Sequence, residues 1–506
     1  FWLKPFEHFL CLCRCGGALQ LFLVVIFCRL ALSAVVAAAV AFTDDTCQVE
    51  SMDKVDCNFG DQSSCEAAGC CWKPLIPNPG NLPWCYHKAG TVKTCTFKSG
   101  PQQPFSAVEM QEVRALFEAN LDIHGSGMVV AAPDHATGPG GDYYFAWQRD
   151  DALSMGALLQ TSGLGGDVET KMDHWLAWVE RSYNQTDPNG DIMTEPKFVI
   201  PSGVAFPGGW CRPQTDGPGL RAITLMAYAE AKLDVKQRVM PMVQKTLDRV
   251  AANYTHSGCD LWEEVRSTDF FWNRYTMRKA LLQGSVFVAT DLQRASTYTA
   301  AAKAIGDALP GHVTSEGFVC ESQNRCYDTA TIEAFNVGDM ADGMFGPLSN
   351  EVVQTLRGLT HYFCNAYELN QKAAQAGVPG VLYGRYQGDS YDGGNPWVLL
   401  AASVATLLYR QSLAVAKGAK VDPAVSKLLE GLLGQEVSAS NLLGAGDSIL
   451  SRMKTFLTNG MHMNEQIDRN TGGLTSAKDL TWNYANVLKA MTAREAASAA
   501  VVTIVV

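Results

Sequence analysis

The sequence predicts an almost wholly α-helical chain: a closed array of helices preceded by a small module stapled by cysteines. Three observations carry this. After Phe105, apolar residues recur at helical spacing in twelve segments, and few stretches alternate as strands do. No repeat of 30–50 residues accompanies them, which favours a closed array over a solenoid. The sixteen cysteines are clustered, six of them between Cys47 and Cys85. With 47% apolar residues among 506, the chain can bury a large core. Its net charge of −11 and lack of a basic run exclude a nucleic-acid partner.

Residues 1–43 are expected to be a secretory signal or a signal anchor. Segment 30–42 suits the apolar core of a signal, with Lys4, Arg14 and Arg29 before it and Ala39 and Ala41 at its end. An uncleaved anchor over 18–42 would leave the protein on a membrane, facing the exterior or an endomembrane lumen. Arg29 near the middle of that span would be costly, so cleavage and secretion are expected. Asn184 and Asn253 open Asn-X-Thr glycosylation triplets that fit export.

Residues 44–90 form the cysteine-rich module. Cys47, Cys57, Cys65, Cys70, Cys71 and Cys85 lie among prolines and glycines in a segment too short for a large core, so disulfides must supply stability. Zinc is disfavoured, because neither paired CxxC units nor interleaved histidines occur. Six cysteines allow fifteen pairings, and arithmetic does not choose among them. Residues 91–105 read as a linker. Further on, Cys320 and Cys326, separated by five residues in a Gly/Asn/Ser-containing loop, are expected to bond to each other. Cys211 and Cys259 are candidates for a bridge between two longer loops, which would leave Cys95 and Cys364.

The large region, 106–500, carries the helices. They are expected at 108–121, 152–159, 168–183, 220–233, 239–254, 270–288, 292–309, a weaker 329–335, 352–376, 397–415, 425–457 and 480–491. The eleventh should break around 434–440. Long or motif-like loops precede the second, fourth, sixth, tenth and twelfth: 140–149, 194–218, 258–267, 383–395 and 462–478. If helices alternate up and down, every even-numbered helix starts at the same end, and these loops meet on one face.

Those loops hold the chemistry. Asp260, Glu263 and Glu264 place three carboxylates within five residues; crowding is expected to keep one protonated for general-acid work. An acidic helix N-terminus is the plainer explanation of such a cluster. Glu465 stands in a second loop on the same face, and two carboxylates from separate loops suit glycosidic-bond hydrolysis. Five of eleven tryptophans, Trp147, Trp210, Trp262, Trp397 and Trp482, fall at these loops or the helix starts after them. Flat apolar faces beside polar groups suit a sugar ring, and Arg149, Asp150 and Arg385 add charged partners for its hydroxyls.

Two resemblances sharpen this. Cys70-Cys71-Trp72 after Ala68-Gly69, with Pro83-Trp84-Cys85-Tyr86, resembles a trefoil (P-type) domain, although the Arg usual before the second cysteine is absent and Lys54 lies nearby. That family implies Cys47–Cys71, Cys57–Cys70 and Cys65–Cys85 pairs, and a sugar-stacking role for Trp84 unless it packs internally. Asp142-Tyr143 through Arg149-Asp150, Trp210-Cys211-Arg212 through Pro218, Asp260 through Glu264, Gly384-Arg385-Tyr386 through Trp397, and Asn464-Glu465-Gln466 through Trp482 resemble family 15 glycoside hydrolases, the glucoamylases. This implies an (α/α)6 barrel, an inverting mechanism with Glu263 as general acid and Glu465 as base, and Asp260 as an acidic neighbour. It implies Arg149, Asp150, Trp210, Glu264 and Arg385 gripping a terminal glucose, and Tyr143, Trp147, Trp262, Trp397 and Trp482 shaping the pocket. The expected partner is an α-glucan or malto-oligosaccharide; no metal or cofactor is implied, and a monomer is expected. Ala146, Arg266 and Gln387-Gly388 depart from usual family residues in loops expected to form outer subsites. A non-hydrolytic sugar-binding relative would need neither Glu263 nor Glu465; trehalase- or dextran-cleaving relatives would share the fold.

Overall fold

A computed structural model describes residues 45–505, apart from 52–53, 58, 77, 79–81, 137–140 and 324. The expected signal or anchor in 1–43 lies outside the described residues. Among the described residues the trefoil-like module has one short α-helix, α1 (Gln62–Ala67), started by Asp61, whose carboxylate accepts the Ser64 N–H. One two-residue ladder, β1 (Cys71–Trp72) with β2 (Cys85–Tyr86), completes it. Its buried centre is mostly sulfur: Cys57, Cys65 and Cys85. The structure joins Cys47 to Cys71, Cys57 to Cys70 and Cys65 to Cys85. Trp84 remains 38% exposed and meets Trp72 edge-on, so it is neither packed away nor free-standing.

The large region is a double ring. Its helices are α2 (Ala107–Ala119), α3 (Gln148–Ser162), α4 (Gly166–Ser182), α5 (Asp216–Ala231), α6 (Lys236–Asn253), α7 (Phe271–Phe287) and α8 (Leu292–Ala308). They continue with α9 (Ala330–Val337), α10 (Asn350–Ala366), α11 (Glu368–Gln375), α12 (Val398–Ala416), α13 (Pro423–Leu433), α14 (Ala439–Lys454) and α15 (Thr481–Val505). Helices α3, α5, α7, α9, α12 and α15 pack in that order, and α15 packs back on α3, closing an inner ring of six. The others form the outer layer. The segment expected as one helix over 352–376 divides at Tyr367, whose extended backbone separates α10 from α11. That over 425–457 divides at Gly434, in the left-handed conformation that ends α13.

Burial explains which helix goes where. Inner helices are buried on most sides; α12 buries thirteen residues from Val398 to Ser412. It is the one described helix long and apolar enough to cross a membrane, and it is a core element. Outer helices carry one apolar stripe, and several start with side-chain caps: Ser106 with Glu109 as a capping box, Asp291, Ser349, Asp422 and Ser438. Inner helices α3, α5, α7, α9 and α12 begin at Trp147, Thr215, Phe270, Thr329 and Trp397 with no side-chain cap from those residues. Distant groups take over: the Leu399 N–H donates to Asn483 and the Trp272 N–H to Glu321. Two of these start positions, Trp147 and Trp397, line a cavity instead.

Three further disulfides fix the loops: Cys320–Cys326 locally, Cys211–Cys259 between two long loops, and Cys95–Cys364 from the linker to α10. Six disulfides among the described residues fit an oxidising compartment. Asn184 is exposed in the turn after α4. Asn253, the last residue of α6, is half-buried, and its amide donates to the Arg249 carbonyl.

Candidate active site

Two of the long loops are pinched into hairpins, and this places the acids. Strands β5 (Gly258–Cys259) and β6 (Arg266–Ser267) pair antiparallel, leaving 260–265 as a tip. Asp260 is buried inside that tip, where one carboxylate oxygen accepts the N–H groups of Glu264 and Val265 and the other faces Arg325 at 2.5 Å. It stands behind the pocket and shapes the turn, a correction to its expected place beside the acids. Glu263 sits at φ +65°, a left-handed conformation that L-residues rarely adopt and that the tip imposes.

The three clustered carboxylates therefore point to three different cations. Asp260 pairs with Arg325, Glu263 with Arg149 at 2.8 Å, and Glu264 with Arg385 at 2.8 Å. Arg325 also lies 3.6 Å from Glu264, so three arginines interleave with the three carboxylates. Glu263 also accepts the indole N–H of Trp210 at 2.6 Å and of Trp147 at 3.3 Å on Oε2. Trp147 ends β3 (Phe145–Trp147), which pairs with β4 (Lys197–Val199).

Strands β7 (Gln466–Ile467) and β8 (Leu474–Thr475) pair Gln466 with Thr475. Glu465 and Ser476 are the next positions outward on the two strands, and the Ser476 hydroxyl donates to Glu465 Oε2 at 2.6 Å. Burial pushes the Glu465 carboxyl up to about 7, opposed by the Ser476 hydroxyl, the Arg385 charge, the Gln466 amide and the Tyr143 hydroxyl. The expectation from the sequence is an ionised Glu465. It missed that Glu465 enters a nearly dry hairpin, 3% exposed.

Glu263 and Glu465 face one cavity of about 250 Å³, lined by every expected sugar-contacting residue: Tyr143, Trp147, Arg149, Asp150, Trp210, Trp262, Glu264, Arg385, Trp397 and Trp482. Its walls are largely aromatic. Arg385 lies within 5.5 Å of the ring centres of Trp262, Tyr391 and Trp397 and is held by Asp389 and Glu264. Among the described residues nothing hydrogen-bonds Arg149 Nε, Asp150 Oδ2, Trp397 Nε1 or Trp482 Nε1, though each is buried. Burial raises the Asp150 carboxyl to about 7 against the pull of Arg149. Apolar ring faces with unsatisfied polar groups between them match a polyhydroxylated ring, which offers C–H patches and hydroxyls together.

The sequence profile of Glycosyl hydrolases family 15 matches residues 118–492, spanning all of this site. The chain belongs to that family. The trefoil (P-type) profile matches 47–88, ahead of it. Among curated family 15 relatives, Glucoamylase 1 of Rhizopus oryzae is 31% identical over 80% of this chain and 73% of its own length. Glucoamylase-1 of Schizophyllum commune is 31% identical over 73% and 69%. The solved family 15 glucoamylase from Hypocrea jecorina superposes with a TM-score of 0.69 at 26% identity, covering 77% of this chain and 72% of that one. The chain is accordingly a glucoamylase-type glycoside hydrolase with the (α/α)6 barrel of that family, and its inner ring is the barrel.

Within the family frame, Arg266 is exposed on β6, Ala146 is buried in β3, and Gln387 is anchored through its N–H to the Tyr327 carbonyl. Several residues at the site went unread in the sequence. Tyr391 lines the cavity, and its hydroxyl bonds that of Tyr143 at 2.5 Å. It lies in the 383–395 loop, where a search for tryptophan alone passes it over. Asp216, inside the stretch from Trp210 to Pro218, accepts the Trp272 indole N–H and lies 3.5 Å from Arg149. Ser476 left no signal, since only the hairpin register brings it to Glu465.

Proposed function

We propose that this hydrolase attacks α-1,4-linked glucans from their nonreducing ends and releases β-glucose by single displacement, with Glu263 as general acid and Glu465 as general base. The observation that carries this is the environment of the two carboxylates across one closed-sided cavity. Glu263 gives its proton to the departing oxygen and becomes a carboxylate. Arg149 and the Trp147 and Trp210 indoles, already aimed at it, stabilise that charge as it develops. Glu465, raised by burial, is a stronger base than an exposed glutamate once ionised, and it takes the proton of the attacking water. Arg149, Asp150 and Arg385 hold the terminal sugar while the aromatic walls exclude water from its faces.

Proton NMR of the first product formed from maltose tests the reading: β-glucose is expected before mutarotation, and α-glucose first would make Glu465 a nucleophile instead. A panel of maltose, maltoheptaose, isomaltose and trehalose tests the linkage, with maltose and maltoheptaose expected to be cleaved fastest. No turnover of any of them would favour a sugar-binding role.

A further inference from the structure

Behind the indoles that touch Glu263 lies a closed box of aromatic rings. Phe145 meets Trp147 edge-on, Trp147 meets Trp210, Trp210 meets Phe206, and Phe206 returns to Phe145, with centres 5.3–6.3 Å apart. The Lys197 ammonium sits inside, 3.9 Å from the Trp210 centre, 4.2 Å from Phe145, 4.5 Å from Phe206 and 4.6 Å from Trp147. It arrives there because Lys197 stands opposite Trp147 in the β3–β4 ladder. The residue is 4% exposed, and among the described residues none accepts a hydrogen bond from its ammonium.

We propose that Lys197 is a positioning residue for the acid step: its charge pins the box and points the Trp147 and Trp210 N–H groups at Glu263. An ammonium held among ring faces gives up part of its hydration, which an apolar side chain of the same length would not. A cation on the ring faces attracts all four rings at once and fixes their mutual angles. It also draws electron density from the two indoles, making their N–H groups stronger donors to a carboxylate at the opposite edge. Burial lowers the ammonium to about 8, while the Glu263 and Asp142 charges act to keep it protonated.

This rests on Glu263 being the general acid, and the test separates the two claims. Fluoride leaves a glucosyl carbon with far less protonic help than a sugar alkoxide does. Lys197→Met should therefore lower kcat on maltose roughly tenfold or more, a part of the roughly 10²–10⁴-fold typical of general-acid assistance, and kcat on α-glucosyl fluoride by less than about threefold. Equal losses on both substrates would mean a merely structural lysine and overturn the proposal. Glu263→Gln is run beside it and should show the same split. Equal losses there would overturn the acid reading itself; a split for Glu263→Gln alone would overturn only the role of Lys197. If Lys197→Met does not fold, Lys197→Arg, which displaces the charge from the centre of the box, is judged by the same ratio.

Discussion

The Trp210 indole N–H donates to Glu263 Oε2 at 2.6 Å, while Cys211, the next residue, is bonded to Cys259 at the base of the hairpin that carries Glu263. One short stretch thus both grips the acid and is tied to its scaffold. Trp210→Phe keeps the ring and deletes the donor. A hydrogen bond to a charged group contributes about 1.5–3 kcal/mol, so kcat/KM on maltose should fall roughly 10–150-fold. Steady-state kinetics check this, with the thermal midpoint expected within a few degrees of the parent.

Glu263→Gln and Glu465→Gln should each lose about 10²–10⁴-fold in kcat while still binding substrate. Calorimetric titration with maltotriose on the inactive variants measures the second part. A loss below about tenfold for either would be incompatible with its role.

Ser476→Ala tests the hairpin contact. The hydroxyl holds the Glu465 carboxyl down, so removing it raises that group further. The base must be ionised to act, and the limb of the kcat/KM profile on which activity rises with pH should move to higher pH. A limb that stays put or moves down would place the rate-controlling ionisation elsewhere.

Gly394→Ala should misplace Arg385 without touching it. Gly394 has φ +64°, and a Cβ there would lie 2.0 Å from the Asp389 carbonyl oxygen, a backbone atom that cannot swing aside. Asp389 holds Arg385, so KM for maltose should rise several-fold, and strain of about 1–3 kcal/mol should lower stability.

Non-reducing peptide mapping should recover Cys211–Cys259 and Cys95–Cys364 as linked peptides. In the chain-entropy picture, the first closes a loop that stabilises the fold by about 4 kcal/mol. Cys211→Ser with Cys259→Ser should therefore lower the thermal midpoint and kcat together. A variant equal to the parent in both would mean the two loops hold without their bond.

The helical ring was legible because apolar residues recur at helical spacing along it, and because functional residues precede five of the six even-numbered helices. Its finer breaks were not. Tyr367 ends α10 with neither glycine nor proline to announce it, whereas Gly434 was readable. The pocket residues were readable from type and loop; their electrostatics were not. Asp260, Glu263 and Glu264 look like one acidic cluster until the turn at φ +65° sets Arg325, Arg149 and Arg385 among them. Lys197 sits in plain view beside Phe198, yet a box built from Phe145, Trp147, Phe206 and Trp210 exists only after β3 and β4 pair.

Cys95–Cys364 carries a last consequence. The trefoil match ends at residue 88, and the bond anchors the chain to α10 only a few residues later. Even a fully slack connection of that length spans on the order of 15 Å. Any glycan strand held by the trefoil would therefore meet the catalytic unit at millimolar effective concentration, and modest affinity in two places would add up to avidity for a granule surface.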